Sequence, residues 1–407
     1  VDAAHPAEAR PLPGRARPPR VLSVLHAPHR GGPQHRNLAL ARAFAEQGTA
    51  DLTVAMSDGP GAAMLRAAGV EVLSIPLGRL RASRDPRVQA ATLLGWPGDV
   101  RRLQRAIRET GADVVLVNGL ANAQAAVAAR RSGARLVWQI LDTRTPPALA
   151  RLLLPLVRRW ADAVMVTGRR VAELHFGPGD DLGGRLVAFV PPVDTARFRP
   201  YPGAAARARA ELGLGAGPVV GAIANLTPQK GHPAFLQAAA RLQALRGDVR
   251  FLWLGQTFAG QEAYAAGLRR RAEALGLTIG RTLVIRDPGD RVAELAPAMD
   301  VAWVTSEPRS EGVPTACGEA MALAVPPVAF DIGGLRDLVR DRIDGRIVPG
   351  QDTDALALAT AELLASPVQR AALGRSARAQ ASELCSVDAC AAAHLLAFEI
   401  AREVRRG

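Results

Sequence analysis

From residue 21 onward, short β-branched apolar runs alternate with longer amphipathic ones, and that alternation restricts the chain to a few architectures. "VLSVLH" precedes "RNLALARAFAEQG", "DLTVAM" precedes "GAAMLRAAG", "DVVLVNG" precedes "NAQAAVAARRSG", and "RLVWQIL" precedes "PALARLLLPLVRRW". A strand followed again and again by a helix builds parallel βαβ units, with helices covering both faces of the sheet. The pattern breaks over residues 190–217, "VPPVDTARFRPYPGAAARARAELGLGAGP", whose Pro and Gly content is that of an interdomain connection. It then resumes with "VVGAIANL", "PAFLQAAARLQALR", "VRFLWLG", "AGLRRRAEALG", "TLVIRD", "RVAELAPAMD", "VAWVTS", "CGEAMALA", "PPVAF" and "LRDLVRD".

At 407 residues the chain fits two domains better than one. The expected fold class is therefore α/β, with two doubly wound Rossmann-like domains facing across a cleft. Ligands bind in such sheets beyond the carboxyl ends of the strands. The expected divisions are a tail over 1–20, an N-terminal domain over 21–195, a C-terminal domain over 196–385, and an amphipathic helix over 386–407 that packs back toward the N-terminal domain. The glycines of "GLGAGP" precede a strand instead of following one, so they read as linker and not as a dinucleotide fingerprint.

Lys230, in "TPQKGH", is the only lysine among 51 Lys and Arg residues. It lies where a strand ends near Leu226 and a helix starts about Pro233, a residue suited to a first helical turn. A helix N-terminus beside a compact ammonium favours an anion such as a phosphate. A chain that otherwise uses arginine makes an ordinary surface role for this lysine the weaker reading.

The second chemistry-bearing stretch is "SEPRSEGVPTACGEAMALAVPPVAFDIGG". Here Glu311 lies in a loop, and Glu319 lies eight residues on, in the first turns of a helix expected to start at Thr315 or Ala316. The amides of Gly312, Val313 and Thr315 can face an anion, whereas Pro314 has none. An ionised Glu319 can accept from both hydroxyls of a ribose. The plainer alternative is that both acids complement the helix dipole.

The run from Glu311 to Gly334, with Glu, seven residues, Glu, then "AMA" and a later "GG", resembles the signature of the family 4 retaining glycosyltransferases of GT-B fold. "ANLTPQKGH", "DRIDGRIVPGQDTDALALA", "HAPHRGGPQHRNLALARAFAEQG" and "VPPVDTARF" are similar to other segments of that family, in order, over roughly residues 21–400. The resemblance implies a retaining, metal-independent transfer of a sugar from a nucleotide-diphosphate sugar, a co-substrate, to a small-molecule hydroxyl acceptor, as in secondary-metabolite biosynthesis. No cofactor is implied. Lys230 and Glu311 would be the catalytic pair. Donor binding would fall to Gly31, Gly32, Asn225, Gly312, Val313, Thr315 and Glu319, and the acceptor or sugar side to His29, Asn118 and Asp142. Two departures stand out. Asn118 occupies the place where many members carry a His. Ala224, Asn225 and Leu226 replace the usual Gly-Arg-Leu, which leaves Lys230 without its arginine neighbour and passes that task to Asn225 or to an arginine from elsewhere.

The formal net charge of +13 invites a nucleic-acid reading, but the arginines are scattered and only 4% of residues are aromatic, so stacking platforms are not expected. An anionic ligand or a weak contact with an anionic membrane surface suits the charge better. Cys317, Cys385 and Cys390 share no metal-ligand spacing, and the expected setting is a reducing, cytoplasmic one, peripheral to a membrane in the alternative reading. His26, His29 and His35 match no zinc pattern, so no metal is expected. Residues 1–20 lack the apolar segment of a signal peptide and read as a disordered tail. The longest apolar runs are broken by Arg and Pro before reaching the ~18 residues of a membrane span. Three alternatives remain open: a lipid or envelope glycosyltransferase at a membrane surface, a sugar-nucleotide epimerase, and a nucleotide-sugar-binding protein without turnover.

Overall fold

The computed structural model describes residues 17–78, 86–141, 143 and 145–404. In the N-terminal half, β1 (Arg20–Val24), α1 (Gly32–Gln47), β2 (Asp51–Met56), α2 (Pro60–Ala67), β3 (Val72–Ser74), α3 (Pro86–Thr110), β4 (Val114–Asn118), α4 (Ala123–Ser132), β5 (Arg135–Ile140), α5 (Pro147–Trp160), β6 (Ala163–Thr167), α6 (Arg169–Phe176) and β7 (Leu186–Phe189) follow in order. The strands form one parallel sheet of seven, ordered β3-β2-β1-β4-β5-β6-β7. Strands covered on both faces read as unbroken apolar runs, and β4 and β6 are buried at every position.

The C-terminal half holds α7 (Ala204–Leu212), β8 (Val219–Ile223), α8 (His232–Leu245), β9 (Arg250–Leu254), α9 (Glu262–Ala274), β10 (Leu283–Arg286), α10 (Val292–Leu295), β11 (Val301–Val304), α11 (Thr315–Ala322), β12 (Pro327–Phe330), β13 (Arg346–Val348), α12 (Thr353–Ala365), α13 (Pro367–Leu384) and α14 (Val387–Glu403). Its six parallel strands are ordered β10-β9-β8-β11-β12-β13. Phe235, Phe251, Trp253 and Trp303 stack edge-on or tilted in its centre. Each such ring contributes about 3 kcal/mol by burial alone. Both sheets thus have the doubly wound order that opens a crevice at the carboxyl ends of the central strands.

Some expectations shift. Arg17 and Arg20, assigned to the tail, join the domain: Arg17 pairs with Asp113 at 3.1 Å, and Arg20 opens β1 while donating its amide to Asp113. Residues 1–16 lie outside the described residues. "RVAELAPAMD" yields one short α10 followed by a 3-10 turn at Pro297, which has no amide to continue the helix. "LRDLVRD" yields only a 3-10 turn. The stretch Pro367–Glu403 is apolar and long enough by composition to cross a membrane. It comprises two helices, however, and α14 gives Cys390, Ala391, Ala397, Phe398 and Ala401 to a core shared with Val21, Phe44, Val114 and Met165 of the N-terminal domain.

Candidate functional site

The loop after β8 is shaped by close backbone contact. Gly231 ends a 3-10 turn with φ +65, and a Cβ there would stand 1.7 Å from the Thr305 carbonyl oxygen, so no other residue fits. Thr305 donates to the Lys230 carbonyl, and the Glu307 amide and the Ser310 hydroxyl donate to the Gln229 carbonyl. The loops after β8 and β11 are therefore joined, which brings two residues 81 positions apart into contact: Lys230 Nζ donates to Glu311 Oε1 at 2.5 Å. The Ser306 hydroxyl donates to the same oxygen at 3.1 Å. Both ion-pair side chains are largely buried, at 24% and 16% exposure.

Glu311 is held from behind as well. A Cβ on Gly333, at φ +48, would lie 2.4 Å from the Glu311 carbonyl, and one on Gly312 would lie 1.9 Å from Thr167 Oγ1 of the N-terminal domain. The glycines that follow and face Glu311 thus press its loop into the interdomain contact. Val313 is buried, its side chain against Gly168 and Gly334. α11 starts at Thr315, within the expected range, with no side-chain cap. α1 also starts without one, after the extended Gly31. A Cβ on Gly32 would lie 4.0 Å from Thr315 Oγ1, so these two helix N-termini meet across the cleft. Uncapped N-termini present amides and a positive dipole to whatever lies between them.

Glu319 is half-buried in the second turn of α11. Burial pushes its carboxyl up to about 7, against the pull of Lys230 and Arg197. Arg197, on the interdomain connection, was not singled out from sequence, because nothing in "VDTARFRP" marks one arginine over the next. Its guanidinium donates to the Asp290 carbonyl and lies over the Phe198 ring. Near it, Arg30 pairs with Asp290 at 3.8 Å from the other domain. His35 is held below its usual range, first by burial and then by Arg30 and Arg197, against Asp290.

Two expected site residues have other tasks. Asn118, expected to orient a sugar, is buried: its amide nitrogen donates to Ser23 and the Val24 carbonyl, and its oxygen accepts from Arg36 at 2.6 Å. It cannot turn to the cleft without abandoning a buried guanidinium. Asn225, expected to help hold a diphosphate, accepts from the Gln256 amide at 3.0 Å and ties the end of β8 to the end of β9. The His29 side chain is exposed, and its carbonyl backs Gly61 of α2. Asp142 lies outside the described residues. Among the described residues, no group of three His, Cys, Asp or Glu side chains could hold a metal ion. A wide groove lined by Arg20, Asp51, Thr53, Glu71 and Glu109 lies at the amino ends of β1 and β2, remote from these groups.

The domains also meet through α6. The amides of Arg169 and Arg170 donate to the Asp337 carboxylate at 3.0 and 3.2 Å, and Arg170 pairs with Asp331 at 2.9 Å. Asp337 thereby caps a helix of the other domain.

Comparison with known proteins agrees with this architecture. Residues 206–380 match the family "Glycosyl transferases group 1", and residues 31–191 match "Glycosyl transferase 4-like domain". A GDP-mannose-dependent alpha-(1-6)-phosphatidylinositol monomannoside mannosyltransferase of Mycolicibacterium smegmatis is 31% identical over 314 residues, 72% of this chain and 78% of that protein. A D-inositol 3-phosphate glycosyltransferase of Segniliparus rotundus is 34% identical over 219 residues, 53% of this chain, and the match spans about half of that relative (48%). Among solved structures, Anabaena HepE in complex with UDP superposes with a TM-score of 0.78 at 20% identity, covering 93% of this chain and 99% of that one. Sucrose-phosphate synthase from Thermosynechococcus elongatus gives a TM-score of 0.73 at 18% identity, covering 94% of this chain and 98% of that one. With two parallel doubly wound domains, paired loops at Lys230 and Glu311, and these matches over both halves, the chain belongs to the family 4 glycosyltransferases of GT-B fold, glycosyl transferases group 1.

Proposed function

We propose that the chain is a retaining, metal-independent glycosyltransferase that moves a sugar from a nucleoside-diphosphate sugar to a hydroxyl of a small polyol acceptor. The observation that carries this reading is the convergence of the Lys230 ammonium and the α1 and α11 N-termini on the cleft, with Glu319 beside them. Breaking the bond between sugar and diphosphate leaves positive character on the sugar and negative charge on the phosphate. The Lys230 cation and two helix dipoles stabilise that leaving group with no need of a metal. The acceptor then attacks from the leaving-group face, and a phosphate oxygen takes its proton. Arg197 supplies the second positive charge that the replaced arginine would have given, and the ionised Glu319 accepts from the ribose diol. The relatives' inositol-containing acceptors support a cyclitol as the acceptor class.

The test is thermal stabilisation by UDP, GDP, ADP and dTDP, followed by incubation of the matching sugar donor with inositol phosphate and assignment of the product's anomeric configuration by NMR. Stabilisation by one nucleotide and a product that keeps the donor's configuration are expected. An inverted product, or no response to any nucleotide, overturns the reading.

A second reading, a lipid acceptor at a membrane surface in a cytoplasmic setting, rests on one face of the N-terminal domain. There Leu94 and Leu152 are 81% and 66% exposed, and Arg105, Arg131, Arg151 and Arg159 are exposed beside helices α4 and α5, which carry no acidic residue. Sedimentation with anionic vesicles that is lost at high salt separates it from a soluble acceptor.

A further inference from the structure

We infer that Glu311 acts on the donor through Lys230, as the counter-ion that holds the ammonium whenever no diphosphate is bound and reclaims it from the product nucleotide. The inference rests on the proposed donor site and concerns how that site is emptied.

One carboxylate oxygen, Oε1, receives both the Lys230 ammonium at 2.5 Å and the Ser306 hydroxyl at 3.1 Å. The backbones on both sides are fixed, with Gly231 against Thr305 and Gly333 against the Glu311 carbonyl, at spacings that admit no Cβ. What can move is the lysine side chain, whose four-carbon stem lets a compact ammonium swing between partners. A diphosphate placed against the α11 N-terminus competes with Glu311 for that ammonium. Binding must therefore break a largely buried ion pair, and release of the nucleoside diphosphate re-forms it. The diphosphate is held less tightly than the lysine alone would hold it, and the difference favours product release. Glu311 is in this sense a positioning residue for Lys230. A direct contact of Glu311 with the donor sugar would leave the affinity for a nucleotide without sugar untouched, so nucleotide affinity separates the two roles.

The experiment measures the affinity of the wild type, Glu311→Gln, Glu311→Ala and Lys230→Ala for UDP and GDP by calorimetry, and nucleotide product inhibition in the transfer reaction. Both Glu311 variants are expected to bind the preferred nucleotide about tenfold more tightly, as fits removal of a competing half-buried charge. Their kcat should fall, with product inhibition stronger by the same factor, while Lys230→Ala loses binding. A purely structural role for Glu311 could weaken binding but not tighten it. Unchanged or weaker nucleotide binding in both Glu311 variants, with binding still lost in Lys230→Ala, overturns the counter-ion role and leaves the donor site standing. Wild-type binding in Lys230→Ala overturns the donor site itself.

Discussion

Two clusters of polar side chains sit at the carboxyl ends of central strands, one in each domain, and they behave in opposite ways. In the C-terminal domain, Lys230, Glu311 and Glu319 stay partly accessible where the loops border the other domain, with Ser306 buried beneath Glu311. In the N-terminal domain, Arg36 is buried with Asn118 at 2.6 Å and Gln139 at 2.9 Å, while Gln139 meets His394 of α14 and Phe189 packs on the guanidinium. Among the described residues no carboxylate contacts Arg36, and burial lowers its pKa to about 10, while His394 is pushed far down to about 3, so neutral dipoles and an aromatic face hold the charge there. Position at a strand end is thus not enough to make a site. One cluster keeps charged groups accessible beside the cleft, and the other uses its hydrogen bonds to fix α1 and α14 to the sheet.

Single substitutions separate the two clusters. Lys230→Ala should lower kcat by about 10²- to 10³-fold, as loss of a charge on the leaving group does, an effect on catalysis far larger than that on the fold. Asn118→Ala should do the reverse, costing about 2–3 kcal/mol in denaturant melts because a buried guanidinium loses its acceptor, while nucleotide affinity is kept. Equal effects of both changes on activity would erase the distinction.

A smaller effect tests the contact between the domains. Asp337→Ala removes the cap that the C-terminal domain gives to α6 and should cost about 1 kcal/mol in the same melts, with a raised KM as the cleft loosens.

The smallest expected effect is on pH. Burial raises the Glu319 pKa to about 7 from 4.5, so the folded protein binds a proton that the unfolded chain has already released between those values. Glu319 therefore favours the fold below about pH 4.5, and that contribution is lost as pH rises through 7. Glu319→Gln should flatten this fall, which melting temperatures from pH 5 to 8 will read. In the wild type, nucleotide affinity should rise over the same interval as the carboxylate ionises, whereas the variant should stay flat.

The strand and helix alternation announced both domains, because parallel strands buried on two faces must be written as continuous apolar runs between amphipathic segments. β3, β6, β7 and β13 were not marked, being short or continuous with a neighbouring apolar stretch. The spacing of Glu311 and Glu319, eight positions apart, and the loop of Lys230 were legible for a similar reason: each is a local loop-to-helix element whose geometry is set by adjacent glycines and prolines. What the sequence by itself determined is therefore what neighbours along the chain decide, namely the elements, their order and the two loops that carry the charged groups. Tertiary structure alone decided that Lys230 and Glu311, 81 positions apart, share a hydrogen bond. It also decided that Asn118 faces Arg36, 82 positions away, and not the cleft, and that Arg197 acts on Glu319. Such pairings depend on how the two sheets and the connection between them are placed, and a side chain's partner in that arrangement leaves no mark on the residues beside it.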